Sequence, residues 1–264
     1  MTIPFYKYQG TGNDFVILDN RSGNFTQLTS VQIAYLCDRR FGIGADGLMM
    51  LQLKDGYDFE MMYYNADGNE GSMCGNGGRC IAAWAFSLGL GDDSLQFWAP
   101  DGTHEARKTN DGKGIALNMN PVSLVQKINT NDWELNTGSP HYVSFQDNNI
   151  QQLALVDWAK NIRYNEPYTN QGINVNAVNI LDENTISMRT YERGVEDETL
   201  SCGTGVCAAA ISFVQRSQPH TEANSNEVQN HLIEVITPGG TLQVSLQRDQ
   251  NNYNHIVLIG PATF

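Results

Sequence analysis

Two short cassettes, Cys74-Gly75-Asn76-Gly77 and Cys202-Gly203-Thr204-Gly205, stand 128 residues apart, and each opens a stretch of small apolar residues. The same offset, without a gap, carries Gly10-Thr11-Gly12-Asn13 onto Gly138-Ser139-Pro140-His141 and Gly44-Ala45-Asp46 onto Gly172-Ile173-Asn174. It also lays Tyr63 on Tyr191 and Glu70 on Glu198. Identity between the halves is low, with six of 24 positions matching from 63 to 86, so the shared spacing of glycine and polar clusters carries the case for an internal duplication. Such a chain is expected to fold as two similar lobes, each supplying half a site and one cysteine.

The local patterns repeat in step with the cassettes. Strand-like runs are expected at residues 5–8, 15–18, 49–53, 59–64, 95–99, 103–108 and 114–118, with helices at 31–39 and 76–88. The second half reads as strands at 141–145, 174–181 and 185–191, with helices at 153–162 and 203–215. A polar stretch at 216–231 breaks the offset, and Pro238-Gly239-Gly240-Thr241 then echoes Pro100-Asp101-Gly102-Thr103 with ten extra residues between. Both helices that follow the cassettes lack a polar side; Val206-Cys207-Ala208-Ala209-Ala210-Ile211 shows it best. A helix apolar all round is a buried helix, so strands must wrap it. The expected fold is α+β: two pseudo-symmetric lobes, each a curved, mainly antiparallel sheet around a central helix. The lobes are placed at 1–119 and 120–254, with a C-terminal strand at 255–264 packing on the first.

Composition narrows the function. A net charge of −13 disfavours nucleic acid, whose phosphates attract basic surfaces. No apolar run approaches the roughly 18 residues that span a bilayer, and the opening Met1-Thr2-Ile3-Pro4-Phe5 has no basic n-region, so a cytoplasmic protein is expected. Five cysteines in a reducing compartment do not suggest a disulfide framework, and their spacings do not suit zinc. Cys37, Cys80 and Cys207 lie on apolar helical faces and read as core. The segment Gly42-Ile43-Gly44-Ala45-Asp46-Gly47 is glycine-rich but does not join a strand to a helix, and no phosphate-loop lysine follows.

The cassettes carry the chemistry. A free thiol titrates near pH 8.5, and a helix N-terminus favours the thiolate through its unpaired N–H groups and partial positive charge. Glycines beside it let backbone approach a ligand closely. One cassette therefore offers both a base and a cradle for a carboxylate. Two cassettes acting on one carbon suit the movement of a proton from one face of that carbon to the other, with one proton shared between the thiols.

At Asn65-Ala66-Asp67-Gly68, Cys74-Gly75-Asn76-Gly77-Gly78-Arg79 and Tyr191-Glu192-Arg193-Gly194, followed by Ser201-Cys202-Gly203-Thr204-Gly205, the sequence resembles the diaminopimelate epimerases. The resemblance extends from Gly10-Thr11-Gly12-Asn13-Asp14-Phe15 to Thr237-Pro238-Gly239-Gly240. It implies a cofactor-independent and metal-free isomerase of L,L- and meso-diaminopimelate, serving lysine and peptidoglycan precursor synthesis, and usually a homodimer. It further implies Cys74 and Cys202 as the two acid/base residues, with Glu192 and His141 as the polar pair beside them. Gly75, Asn76, Gly203 and Thr204 would cradle the carboxylate. Asn13, Asn65, Asn174, Glu192 and Arg193 would hold the rest of the substrate, Arg193 being suited to a second carboxylate. Two positions depart from the family's usual pattern: Gly47 stands where many members have Gln, and Ser139 where they have Asn. A related two-cysteine proline or hydroxyproline racemase is the nearest alternative, although that group typically has His where Asn76 stands here. A thiol redox or ligand-binding protein is the alternative from another class.

Overall fold

The computed structural model describes residues 3–217 and 228–264. The ten extra residues expected before Pro238 therefore lie largely outside the described residues. The chain divides into two compact units, one formed by Met1–Asn118 with Ile259–Phe264, the other by Met119–Leu258.

The first unit contains β1 (Tyr6–Gly10), β2 (Asn13–Asp19), α1 (Ser30–Cys37), β3 (Gly47–Gln52), β4 (Phe59–Asn65), α2 (Gly75–Ser87), β5 (Ser94–Ala99), β6 (Gly102–Lys108) and β7 (Gly114–Asn118). Its strands lie in chain order, with β2–β3 and β4–β5 parallel and the other pairs antiparallel. The second unit contains β8 (Val125–Lys127), β9 (Asp132–Asn136), β10 (Pro140–Phe145), a 3₁₀ turn (Ile150–Gln152), α3 (Leu155–Arg163), β11 (Asn174–Ile180), β12 (Thr185–Glu192) and β13 (Asp197–Thr199). There follow α4 (Gly203–Ser217), β14 (Gln229–Thr237), β15 (Gly240–Asp249) and β16 (Asn252–Pro261), whose last residues belong to the first unit. Its strand order is β8-β9-β10-β11-β12-β14-β15-β16, with β13 attached to β12. The succession of pairings from β1 to β6 (antiparallel, parallel, antiparallel, parallel, antiparallel) recurs from β9 to β15. The α+β class and the repeated lobe plan stand.

One feature of the repeat needs correction. An ungapped offset of 128 would carry the Gly47–Asn65 pair of β3 and β4 onto Val175 and Arg193, yet Val175 pairs with Tyr191. The offset holds at the cassettes, where α2 begins at Gly75 and α4 at Gly203, and it shifts by a residue or so in the strands. A strand tolerates a change of loop length around it, whereas a helix mouth fixes its residues by capping geometry.

Packing explains the apolar runs. In β2, Phe15, Val16, Ile17 and Leu18 are all buried because helices cover both faces. Val16 and Leu18 join Leu48 and Met50 of β3 under Ile33 and Cys37 of α1. Phe15 and Met49 point the other way, to the start of α2 at Gly77. The second unit does the same: Tyr142, Val175 and Tyr191 pack under Ala159 of α3, while His141 and Asn176 face the start of α4 at Gly205. From Gly203 to Val214 every residue of α4 is buried, against strands β9, β10, β11, β12, β14 and β15. Helix α2 is set likewise among β1, β2, β3, β6 and β7.

Local signals place the remaining boundaries. Thr29 caps α1 in a capping box with Gln32. Helix α3 starts later than residue 153 because Asn149 first caps the 3₁₀ turn, its side chain accepting from the Gln151 N–H. Strands β8, β9 and β13 carry no strong sequence signal of their own, β14 and β15 alternate apolar and polar residues but are not among the expected strands, and β16 covers most of the expected C-terminal strand. Asp132–Asn136 has two buried apolar residues, Trp133 and Leu135, and becomes a strand through its ladder with β10. Among the described residues, no helix is long and apolar enough to cross a membrane.

Buried His104 on β6 yields a stability prediction. Its Nδ1 meets the Asn118 carbonyl at 3.1 Å and its Nε2 meets an Asp101 carboxylate oxygen at 2.8 Å. Both partners accept, so both ring nitrogens carry protons and the imidazole is charged. Burial opposes that charge, but the hydrogen bond and charge of Asp101 outweigh it and raise the pKa above 6.5. A raised folded-state value means that the stabilisation is complete below about pH 6.5 and is lost as pH climbs through the folded value. Urea midpoints of wild type and His104→Gln should therefore differ most at slightly acid pH, by about 1.5 kcal/mol for a charged hydrogen bond, and converge in alkaline solution. A gap independent of pH contradicts this.

Candidate active site

Both cassettes sit where a loop enters a buried helix. Cys74 is the N-cap of α2, with extended backbone at φ −108° and ψ 118°, and its Sγ accepts from the Gly77 N–H at 3.5 Å. The sulfur thereby takes one of the N–H groups that a helix start leaves unpaired. Cys202 precedes α4 in the same way, its carbonyl accepting from the Val206 N–H at 2.9 Å as the Cys74 carbonyl accepts from Gly78 at 2.7 Å. The glycines three residues after the cysteines face close neighbours. A Cβ on Gly77 would lie 3.1 Å from Met49 Sδ, and one on Gly205 would lie 2.8 Å from Asn176 Oδ1.

Around Cys74 the hydrogen-bond directions are set by groups that can only donate or only accept. The Arg79 guanidinium, fully buried, donates to Asn76 Oδ1 at 3.0 Å and to the Gly75 carbonyl at 3.2 Å. Asn76 must then present its Nδ2, which meets Asn13 Oδ1 at 3.4 Å. Asn13 turns its own Nδ2 to a carboxylate oxygen of Asp46 at 2.6 Å. Its Oδ1 therefore faces Cys74 Sγ, at 3.6 Å, as an acceptor. Behind Asp46 stands an ion cluster in which Arg39 bridges Asp46 and Asp14, while Lys7 pairs with Asp14. Burial works against the Asp14 charge, yet hydrogen bonds from Arg39 and Lys7 hold the carboxyl down at about 2. Asn65 closes β4 in an exposed turn, where its carbonyl accepts from the Gly68 N–H.

The second half builds a different polar layer on the same frame. His141, fully buried, meets Thr204 Oγ1 through Nε2 at 2.9 Å, and that hydroxyl lies 3.4 Å from Cys202 Sγ. On the other side, His141 Nδ1 lies 3.2 Å from Asn176 Nδ2, which also donates to the Tyr142 carbonyl at 3.0 Å. Thr190 Oγ1 donates to Asn176 Oδ1 at 2.9 Å. Burial, with the Arg193 charge second, pushes the imidazole down to about 3, so it is neutral. Nearby, Asn174 Nδ2 donates to Ser139 Oγ and to the Pro140 carbonyl, both at 2.9 Å, and its Oδ1 accepts from the Arg193 N–H. The exposed Arg193 side chain reaches the Gln171 carbonyl at 3.0 Å and Ser139 Oγ at 3.4 Å.

Several expected residues are thus gathered in each half: Asn13, Cys74, Gly75 and Asn76 in the first; His141, Asn174, Arg193, Cys202, Gly203 and Thr204 in the second. Glu192 ends β12 directly before Arg193. One correction emerges. The offset aligned Asn13 with His141, but at the helix mouth His141 lies against Gly205 where Phe15 lies against Gly77. His141 meets the Thr204 hydroxyl, which in turn lies beside Cys202 Sγ. The surroundings of Gly47 and Ser139 are specific. A Cβ at Gly47 would lie 2.7 Å from the Tyr63 ring, so that aromatic fills the space a longer side chain would need. Ser139 Oγ joins Asn174 to Arg193.

Sequence reasoning missed Asn176, Thr190, Asp46 and Arg79. Asn176 was findable, since it lies two residues from Asn174 on one strand and shares its face. The other three matter through partners 14 or more residues away, or through burial of a cation, which spacing does not reveal.

The chain matches the diaminopimelate epimerase family over residues 5–125 and 134–264. It is 46% identical to the diaminopimelate epimerase of Flavobacterium psychrophilum over 98% of this chain and 96% of that one. It is 40% identical to that of Chlorobaculum tepidum, over 96% and 95%. Among solved structures its fold is similar to a phenazine biosynthesis protein of the PhzF family from Bacillus anthracis (TM-score 0.68, 16% identity, 100% and 97% covered). It is also similar to a hydroxyproline epimerase from Agrobacterium vitis (TM-score 0.65, 13% identity, 98% and 90% covered). These last two likenesses concern the fold alone; the sequence matches, which run nearly end to end, make this chain a member of the diaminopimelate epimerase family.

Proposed function

We propose that this protein is an isomerase that interconverts L,L-diaminopimelate and meso-diaminopimelate without a cofactor, by proton transfer between two thiols and one α-carbon. The observation that carries the reading is the pair of buried helices each entered through a cysteine, one per repeat, in a chain 46% identical to an enzyme of that name. Cys74 and Cys202 are the acid and base. In one direction a thiolate takes the α-hydrogen as a proton, the C–H electron pair passes into the substrate carboxylate, and the opposite thiol returns a proton to the other face. The carboxylate then carries the developing charge. N–H groups of Gly75, Asn76, Gly203 and Thr204 would receive it, preorganised donors of the kind worth about 3–4 kcal/mol each elsewhere. Asn13, Asn65, Asn174, Glu192 and Arg193 would hold the remaining amino and carboxylate groups, with Arg193 suited to the distal carboxylate. A cytoplasmic homodimer acting on this small amino acid, on the route to lysine and peptidoglycan, completes the proposal.

Incubation with L,L-diaminopimelate in D₂O tests it. Deuterium should enter the α-position together with formation of the meso isomer, and proline should not exchange. Exchange into proline alone would give the related racemase reading in its place. Cys74→Ala and Cys202→Ala should each abolish epimerisation, a loss of at least about 1,000-fold, while circular dichroism stays native; turnover by either variant near the wild-type rate refutes the two-thiol step. Mild oxidants should silence the enzyme and dithiothreitol restore it, since the thiolate is both the base and the oxidisable group. Activity indifferent to both reagents counts against a thiolate base.

A further inference from the structure

One carboxylate in the first unit decides which way an amide of the candidate site points. We infer that Asp46 is a positioning residue: it grips Asn13 by its amide nitrogen, so that Asn13 turns its oxygen to the helix mouth and takes an ammonium group of the amino acid rather than a carboxylate. This rests on the proposed reading of Asn13 as a substrate-holding residue, and adds what sets its direction and which charge it takes.

Asp46 ends the glycine-rich turn that leads from α1 into β3. Both of its side-chain oxygens are met by groups that can only donate: the Arg39 guanidinium at 2.6 Å on Oδ1 and the Asp14 N–H at 3.2 Å on Oδ2. A carboxylate so placed can only accept, and the Asn13 atom 2.6 Å from Oδ2 is therefore its amide nitrogen. Turned over, the amide would set its oxygen against a carboxylate oxygen, two acceptors with no hydrogen between them. The Asn13 oxygen is left on the far side, 3.4 Å from Asn76 Nδ2 and 3.6 Å from Cys74 Sγ. Both contacts are long, and a carbonyl oxygen can accept twice. An ammonium, which only donates, suits it; a carboxylate, which only accepts, does not.

The turn is braced for this task. The Asp46 N–H donates to the Asp14 carbonyl at 2.9 Å while the Asp14 N–H donates to the Asp46 side chain, so bonds run between the two residues in both directions. Arg39 bridges the two carboxylates, and Lys7 of β1 pairs with Asp14 and donates to the Gly44 carbonyl. Gly44 turns the chain at φ +81°, where a Cβ would lie 3.0 Å from Arg39 Cα. Arg39 and Asp46 are too exposed for their ion pair to add much stability. What the cluster adds is direction, because it holds the carboxylate still.

Substitution separates aim from support. In Asp46→Asn the three donors face one oxygen and one amide nitrogen. The Arg39 cation keeps the oxygen, so the new nitrogen faces Asn13, which turns over and presents its own nitrogen to the helix mouth. Adding Asn13→Asp undoes this: the carboxylate at position 13 accepts from the amide at position 46 and offers its other oxygen to the site, at unchanged net charge. If Asn13 served a carboxylate of the substrate, that exchange would set like charges together and raise KM further.

Steady-state kinetics with L,L-diaminopimelate reads the difference. Asp46→Asn should raise KM about tenfold and change kcat less, and Asp46→Asn combined with Asn13→Asp should bring KM most of the way back. A merely structural Asp46 would not be rescued by a change at position 13. In the unmodified enzyme, proton–nitrogen NMR should show one Asn13 side-chain amide proton shifted well downfield by its carboxylate partner, a readout that needs no variant to fold. A KM unmoved by Asp46→Asn, a KM not lowered in the combined variant, or two Asn13 amide protons at ordinary positions overturns the inference. Its failure is separable from that of the function. A wild type that epimerises diaminopimelate with Asp46→Asn kinetically unchanged refutes the positioning alone; a wild type that exchanges no α-hydrogen refutes the reaction, while the direction of the Asn13 amide is still read by NMR.

Discussion

A helix buried on every side can meet the solvent only at its ends, and its first turn leaves N–H groups without partners. In both lobes that end is entered through Cys-Gly-x-Gly, and much else follows from it. The cysteine lies at the entrance to the helix, in the first lobe with its sulfur as the capping acceptor. The glycine three residues on lets the helix start lie close against strand side chains, Met49 in one lobe and Asn176 in the other. The apolar body of the helix draws strands around it, and these strands bring the remaining polar residues to the mouth. The scaffold and the chemistry are thus one constraint seen from two ends.

The duplication kept this frame and changed what stands behind it. Against Gly77 lie Phe15 and Met49; against Gly205 lie His141 and Asn176. An apolar pair needs only to pack. A buried polar pair persists only as a fully bonded network, and here Tyr142, Thr190 and Thr204 complete it. Two mouths of the same shape therefore set their cysteines in different polar surroundings.

Charge is used in a similarly local way. The net charge of −13 says little about the site, where the cations sit: Arg39 and Lys7 around Asp14 and Asp46, Arg79 buried under the first mouth, Arg193 exposed beside Asn174. Arg79 illustrates the principle, since a cation without solvent is tolerable because acceptors surround it and is useful because it fixes an amide's direction.

The sequence by itself determined the two helix mouths, the cysteines in them and the buried helices behind, because small residues, glycines and an all-round apolar pattern have few other uses. It determined most strands flanking those helices as well, where apolar runs are long enough to speak alone. It did not determine β9, whose five residues become a strand by pairing with β8 and β10, nor the residue-level correspondence of the halves, which follows ladder register rather than a constant offset. Nor could it place His141 behind Thr204 or make Asn176 the arbiter of its tautomer. Those relations join residues 14 to 63 positions apart, and only the folded chain decides which atoms can donate, because direction in a hydrogen-bond network is set by the backbone carbonyls and fixed charges at its ends.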